Sequence, residues 1–201
     1  MDDKFLAGVT QLFLENGVKT VTMDDIARHF GISKKTLYTK YRNKDALIED
    51  ALLYKLEEIA ENLKRLNVEV ENAIERMLCR DEQIEKATRS NDSLMIRQLM
   101  KYYPEIFNKH MQAFSVKFSE VFIHNVHRGR EQGLFRENFD EALYVKFVLM
   151  LMLGYNNSPI IDTENTDREL FEDTVMDFYM NAIVTEKGRQ EYYRLKKENI
   201  K

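Results

Sequence analysis

The residues of this chain with the clearest chemical potential are cations gathered in one short segment. Residues 26–44 hold six of the 30 Lys+Arg residues and none of the 34 Asp+Glu residues. The rest of the chain therefore carries 24 cations against 34 acids, within a formal net charge of -4. Lysine and arginine donate charge-assisted hydrogen bonds to phosphates. A basic segment on an otherwise acidic protein predicts that one end of the molecule meets a polyanion.

The order of residue types inside the segment favours DNA as that polyanion. Lysine can donate to O6 and N7 of guanine, and a threonine methyl or hydroxyl can meet a base or a phosphate. We therefore expect Lys34, Lys35 and Thr36 near base edges. Tyr38, Lys40 and Lys44 would reach flanking phosphates, which fixes register without reading sequence. All six side chains follow Gly31 in one run, GISKKTLYTKYRNK.

Two short helices are needed to position these side chains. Thr22 and Asp25 have the spacing of a capping box that starts the first helix, and Gly31 supplies the left-handed turn that ends it. Ser33 is a suitable N-cap for a second helix over 33–39, with Leu37 and Tyr41 facing inward. Such a pair is a helix-turn-helix, whose second helix lies in the major groove.

The remainder of the chain also predicts helices. An apolar period through Phe5, Val9 and Phe13 gives a helix that Asn16 and Gly17 end, and Asn43 caps a long fourth helix. Further helices are expected at 69–89, 92–102, 104–131, 139–155 and 167–184, with a loop at 162–167. No strand pattern stands out, so the predicted class is all-α, with an N-terminal three-helix helix-turn-helix head and a larger helical body.

Composition limits the alternatives. The chain has 201 residues, 44% apolar and 32% charged, with only 7 Gly and 2 Pro, which is typical of a soluble helical protein. The single cysteine, Cys79, excludes an internal disulfide and favours a reducing, cytoplasmic compartment. The acidic, helical N-terminus is not typical of a signal peptide. The block ALYVKFVLMLML at 142–153 is shorter than the roughly 20 residues of a membrane span.

Catalytic and metal sites are not predicted. A Gly-rich phosphate loop, Gly-x-Ser-x-Gly and His-Glu-x-x-His are all missing from the sequence. His124 and His127 are three residues apart on a predicted helix, and Glu120 shares their face. No other nearby ligand stands out, so we interpret the two histidines as an exposed or interface pair. We expect no cofactor, no metal and no catalytic residue.

The run from Thr22 to Leu47 resembles the DNA-binding domain of the TetR (tetracycline-repressor) family. The Gly-Ile-Ser, Thr-Leu-Tyr and Asn-Lys-Asp-Ala-Leu elements occur together in register. The resemblance implies a DNA-binding domain at 1–47 and a helical effector-binding and dimerisation domain at 48–201. It also implies a set of DNA contacts, which comprises Thr22, Met23, Ser33, Lys34, Lys35, Thr36, Tyr38, Lys40 and Lys44. Unlike members with a long basic N-terminal arm, this chain starts its first helix almost at Met1.

The resemblance further implies a homodimer that binds an operator and an unknown small molecule. Dimerisation would use the last two predicted helices, and the candidate residues are Phe147, Met150, Leu151, Val175, Phe178 and Ala182. A methionine and aromatic stripe is the candidate effector pocket, although such a stripe is also typical of plain core. Its members are Met100, Tyr103, Phe107, Met111, Phe114 and Phe118.

The expected function is a ligand-responsive regulator, most simply a repressor that leaves a pseudo-palindromic operator when a small molecule tilts helix four. Three alternatives stay open. The chain could be an activator, because operator position decides the polarity of control. It could be an interaction adaptor that has lost DNA binding. It could also be a helical enzyme or carrier that uses the body's pocket.

Overall fold

The computed structural model describes residues 3–79 and 92–199, which form ten helices and no strand. In chain order these are α1 (Asp3–Asn16), α2 (Met23–His29), α3 (Lys34–Lys40), α4 (Lys44–Glu69), α5 (Ala73–Leu78), α6 (Asp92–Tyr102), α7 (Pro104–Glu131), α8 (Glu141–Asn157), α9 (Arg168–Ile183) and α10 (Glu186–Asn199). A single antiparallel bridge joins Phe135 and Val184 in this part of the chain. The predicted all-α class and N-terminal helix-turn-helix are confirmed.

Most predicted spans agree with the structure, and two details were wrong. The predicted helix at 69–89 does not begin at 69, because α4 continues to Glu69 and Asn72 caps the separate short helix α5. The helix α5 ends at Leu78, and residues 80–89 of the predicted span lie outside the described residues. The helix α10 was not predicted at all, so α8 and α9 are not the last two helices. Val184 ends α9 in an extended conformation. Neither Val184 nor Thr185, the two residues before α10, is a glycine or a proline.

The described residues of the first compact unit are 3–59 and 92–114. Ile26, Leu37 and Leu47 are fully buried and join α2, α3 and α4 in its core. The helix α6 packs against α1. The backbone N–H of Lys19 donates to Gln98 Oε1 at 2.7 Å, and Lys19 Nζ lies 3.8 Å from the centre of the Tyr102 ring. These contacts hold the loop that leads into α2.

The described residues of the second unit are 60–79 and 115–199. Its core brings Ile74 of α5, Met180 of α9 and Tyr192 of α10 into one buried cluster. Arg76 is buried too, and its guanidinium donates to Asn125 Oδ1 at 2.7 Å. The functional division at residues 47 and 48 stays a prediction, because packing units do not identify which residues bind DNA. Among the described helices, none is long and apolar enough to cross a membrane.

Candidate nucleic-acid interface

The helix α2 starts at the predicted capping box. Thr22 Oγ1 accepts the backbone N–H of Asp25 at 3.2 Å, and Asp25 Oδ2 accepts the N–H of Thr22 at 3.0 Å. The Thr22 hydroxyl and then its backbone N–H stabilise the Asp25 carboxylate, so the pKa of Asp25 lies below its ordinary value. Thr22 is exposed, whereas Met23 is buried in the head. Of these two predicted contacts, only Thr22 presents its side chain to the surface.

Gly31 makes the turn between the two helices of the motif. Its φ is +62°, in the left-handed region that side chains disfavour. A Cβ at Gly31 would meet no heavy atom within 4 Å, so the backbone conformation rather than crowding favours glycine there. After the turn, the N–H of Ile32 donates to Ala27 O at 2.9 Å. This bond fixes the direction in which the chain enters α3.

The helix α3 is anchored on one side and exposed on the other. Ser33 Oγ accepts the N–H of Thr36 at 3.0 Å, which is the predicted cap. Leu37 and Tyr41 are buried, as predicted, and burial with the neighbouring Asp50 raises the pKa of Tyr41 to about 12. The exposed side chains of the motif are those of Ser33, Lys34, Lys35, Thr36, Tyr38 and Lys40. Six of the predicted contact residues therefore have exposed side chains in and directly before α3.

Lys44 lies at the start of α4 and is held differently. Its Nζ donates to the carbonyl of Lys19 at 3.3 Å, in the loop before α2. Partial burial lowers the pKa of Lys44 below its ordinary value, although the neighbouring Asp45 and Asp25 oppose that shift. Lys44 therefore links α4 to the α1–α2 loop, in addition to any phosphate contact it makes.

An ion pair that the sequence did not reveal joins the two helices of the motif. Lys34 Nζ, in the first turn of α3, contacts Asp24 Oδ2 in the first turn of α2. The two side chains are 61% and 46% exposed, so the pair lies at the surface. Because these residues are ten positions apart on different helices, no periodicity in the sequence relates them.

The candidate effector residues do not all fall in one unit. The first unit contains Met100, Tyr103, Phe107, Met111 and Phe114, and the second contains Phe118. Phe107 and Phe114 are buried, while Phe118 stacks on Phe122 with ring centres 4.2 Å apart. A groove of about 780 Å³ in the second unit is lined by other, mostly polar residues of α5, α10 and the segments beside them. The effector pocket stays a prediction.

The candidate dimer residues divide by exposure. Phe147, Met150 and Phe178 are large apolar side chains that are exposed, with Met150 and Phe178 each 68% accessible. Leu151 and Ala182 are half-buried, and Val175 is buried in the second unit. Leu143 and Leu170, which are not among the six candidates, are further exposed apolar residues of α8 and α9. Helical spacing from Phe147 would have found Leu143, four residues earlier.

His127 of the predicted histidine pair is held by an acid. Its Nε2 lies 3.2 Å from Glu141 Oε1, at the start of α8, and Arg130 Nη1 donates to Glu141 Oε2 at 3.0 Å. His124 is exposed. In the parts of the chain that the structure describes, no group of three acidic, histidine or cysteine residues is arranged to hold a metal ion.

A capped helix, a glycine turn and a cation-bearing helix define a helix-turn-helix, a motif that DNA-binding proteins place in the major groove. Residues 5–51 match the family described as bacterial regulatory proteins, tetR family. The N-terminal segment is thus a tetR-family helix-turn-helix domain, and the chain has the fold of TetR-family transcriptional regulators. No curated protein sequence matches the chain significantly.

Solved structures with this fold cover nearly the whole chain. The reduced form of E. coli NemR is 17% identical, with a TM-score of 0.71 over 90% of this chain and 96% of NemR. The TetR-family regulator PfmR of Thermus thermophilus is 24% identical, with a TM-score of 0.61 over 89% and 98% of the two chains. SmeT, the repressor of the Stenotrophomonas maltophilia multidrug efflux pump SmeDEF, is 16% identical, with a TM-score of 0.60 over 90% and 89%. At these identities the likeness shows the fold.

Proposed function

We propose that this protein is a homodimeric, ligand-responsive repressor that occupies a pseudo-palindromic operator and releases it when a small molecule binds. The observation that carries the proposal is the outward surface of α3. Its exposed lysines, Lys34, Lys35 and Lys40, stand on a helix that Leu37 anchors, inside the segment that matches the tetR family. Such a regulator would work in the cytoplasm, in contact with bacterial DNA.

DNA recognition would follow from the exposure pattern of the motif. With α3 in the major groove, Lys34, Lys35 and Thr36 face base edges, where lysine donates to guanine acceptors. Tyr38, Lys40 and Lys44 lie along the rest of α3 and the start of α4, and we assign them to phosphates. Thr22 and Ser33 cap α2 and α3, and each is exposed at the start of its helix. Met23 supports the surface from inside.

A homodimer is supported by the apolar surface of α8 and α9. Leu143, Phe147 and Met150 recur at helical spacing on α8 and are exposed, as are Leu170 and Phe178 on α9. The two helices pack against each other, so their exposed side chains can form one apolar patch. A patch of this kind is typical of a protein–protein interface. A four-helix interface with a second copy would cover it and present two heads, spaced about 34–36 Å apart, to a pseudo-palindrome.

Release by an effector requires that the ligand bind two conformations of the dimer unequally. A ligand that prefers the conformation with the wrong head spacing lowers operator affinity only by that difference in binding free energy. The methionine and aromatic residues at 100–118 remain our candidate site, and they fit an apolar or amphipathic small molecule. The relative SmeT is itself a repressor, of a multidrug efflux pump.

The proposal is tested by selecting bound sequences from a random DNA pool with the full-length protein. We expect an enriched inverted repeat whose half-site spacing reports the distance between the heads. Affinity for the selected duplex should fall linearly with salt on a log–log scale, since phosphate contacts release counterions. A flat salt dependence, or selected sequences that bind no better than random duplex, would refute the proposal.

A further inference from the structure

An ion pair between Asp24 and Lys34 joins the first turns of α2 and α3. We propose that the two side chains act as one unit that recognises a G·C base pair in each half-site, with Asp24 as a specificity-determining residue. This inference rests on the proposed function, since it assumes that α3 enters the major groove. Its starting observation is the contact of Lys34 Nζ with Asp24 Oδ2 across the motif.

The two acids at the start of α2 have different partners. The Asp25 carboxylate accepts the backbone N–H and the hydroxyl of Thr22, so it serves the cap of α2. The Asp24 carboxylate instead faces α3 and contacts a lysine there. Arg28 Nη1 lies 3.7 Å from Asp25 Oδ1, so Arg28 pairs with Asp25 rather than with Asp24. Asp24 is thus the acid of this first turn that reaches the DNA-facing helix.

The ion pair between Asp24 and Lys34 contributes little to the stability of the fold. Both side chains are substantially exposed, and exposed ion pairs are weak because water and salt screen them. An acid in the first turn of α2 also complements the helix dipole, but that role requires no partner on α3 and does not explain the contact with Lys34. An acid beside a surface that must approach phosphates weakens binding to every duplex unless a base offers it a hydrogen-bond donor.

A G·C pair offers a matching arrangement of groups in the major groove. Guanine presents the acceptors O6 and N7, and cytosine presents the donor N4–H₂ beside them. Lys34 supplies the donor for guanine, and Asp24 supplies the acceptor for cytosine. Holding the two side chains together before binding reduces the ordering that recognition requires. The same carboxylate repels phosphates at non-cognate sites, which raises discrimination further.

The test compares Asp24→Asn, Lys34→Met and the double variant with the wild-type full-length dimer. Each protein is used to select from a random DNA pool, and the affinities for the wild-type operator and its single-base variants are then measured. For D24N we expect the preference for G·C at one position per half-site to fall by roughly tenfold. Binding to random duplex should become tighter and its salt slope steeper by about one phosphate per protomer, because Lys34 is released.

Two comparisons control for changes in charge and in folding. Glu15→Gln removes one negative charge from α1, where Gln11 Nε2 donates to the Glu15 carboxylate at 2.7 Å, and it should leave base preference unchanged. The thermal midpoint of D24N should equal that of the wild type. Asp24→Ala is the second variant, because alanine is a good helix former and, unlike asparagine, leaves no side-chain acceptor for cytosine.

The outcomes separate this inference from the proposed function. If D24N, K34M and the double variant lose the same G·C preference, the pair acts as one unit and the inference holds. If the wild type selects an operator but D24N and Asp24→Ala both select it with equal preference, or if the two single losses add, the inference fails alone. A wild type with no sequence preference would instead overturn the proposed function.

Discussion

Lys40 and Lys64 are both exposed lysines, yet they should contribute very differently to DNA binding. Lys40 is on the outward surface of α3, whereas Lys64 lies far along α4 and pairs with Glu61 at 2.8 Å. We expect Lys40→Ala to weaken binding to all duplexes by a similar factor and to reduce the salt slope by about one per protomer. Lys64→Ala is the matched control and should change neither quantity. Fluorescence anisotropy titrations from low to high salt measure both, and a sequence-dependent loss would reassign Lys40 to a base.

The charge of Glu141 should make the free energy of unfolding depend on pH. Its own backbone N–H, then His127 and Arg130, lower its pKa from 4.5 to about 2. Because the folded state favours the carboxylate, this stabilisation is complete above pH 4.5 and is lost as the pH falls toward about 2. Glu141→Gln should therefore lower the thermal midpoint at pH 5.

The difference in midpoint between Glu141→Gln and the wild type should shrink steadily as the pH falls from 4.5 toward about 2, because protonation removes the stabilisation across that interval. Thermal unfolding followed by circular dichroism between pH 5 and 2.5 checks this expectation. A difference in midpoint that stays constant over this range would show that Glu141 stabilises the fold through packing rather than through its charge.

At the scale of elements, two glycines separate backbone strain from crowding. An added Cβ meets no heavy atom within 4 Å at either Gly31 or Gly154, but only Gly31 has a positive φ, of +62°. Gly31→Ala should destabilise the head by about 1–2 kcal/mol, because alanine disfavours the left-handed conformation. Gly154→Ala, inside α8, should stabilise the protein by about 0.5–1 kcal/mol, because alanine is the better helix former.

Urea denaturation gives both differences in free energy of unfolding. The opposite signs of the two substitutions are the informative result, since the chemical change is identical. If Gly31→Ala were neutral, the turn between α2 and α3 would tolerate another backbone conformation. The geometry assigned to the recognition helix would then have to be revised.

At the scale of the whole molecule, we propose that the exposed surface of α8 and α9 forms the interface of a homodimer. Phe178→Asp should convert the dimer to a monomer at micromolar concentration, because a charge at the centre of an apolar interface enters it twice by symmetry. A loss of about 2 kcal/mol per protomer corresponds to roughly a thousandfold in the dissociation constant. Analytical ultracentrifugation measures the dissociation constant of the dimer.

Val68→Asp is the control for this experiment, since Val68 is an exposed apolar residue of α4 that lies outside α8 and α9. It should leave the dimer intact. If the Phe178→Asp protein and the Val68→Asp protein are both dimeric, the interface lies elsewhere. The operator affinity of Phe178→Asp should fall with dimerisation, because a single head contacts only one half-site.

Much of the head was predictable because its signals are local. The capping box at Thr22, the turn at Gly31 and the cap at Ser33 each depend on residues within three or four positions of one another. The same is true of the inward direction of Leu37 and Tyr41, which helical periodicity gives. The bounds of α6 and α7 followed from periodicity and from the position of Pro104.

The break between α9 and α10 was not predictable in this way. Neither Val184 nor Thr185 is a helix-breaking residue type. The break is fixed by partners distant in sequence, since the N–H of Thr185 donates to Leu134 O at 2.9 Å. Its hydroxyl also donates to Gly133 O at 2.8 Å. Tertiary hydrogen bonds therefore ended α9 where the local sequence would have continued it.

The sequence by itself determined the all-α class and the helix-turn-helix with its cationic recognition helix, because caps, turns and periodicity act over short distances along the chain. Only the tertiary structure decided which side chains share a surface. It buried Met23, tied Lys44 to the α1–α2 loop and placed Asp24 against Lys34. These pairings depend on how one helix packs against another, and that packing is set by contacts between residues far apart in sequence.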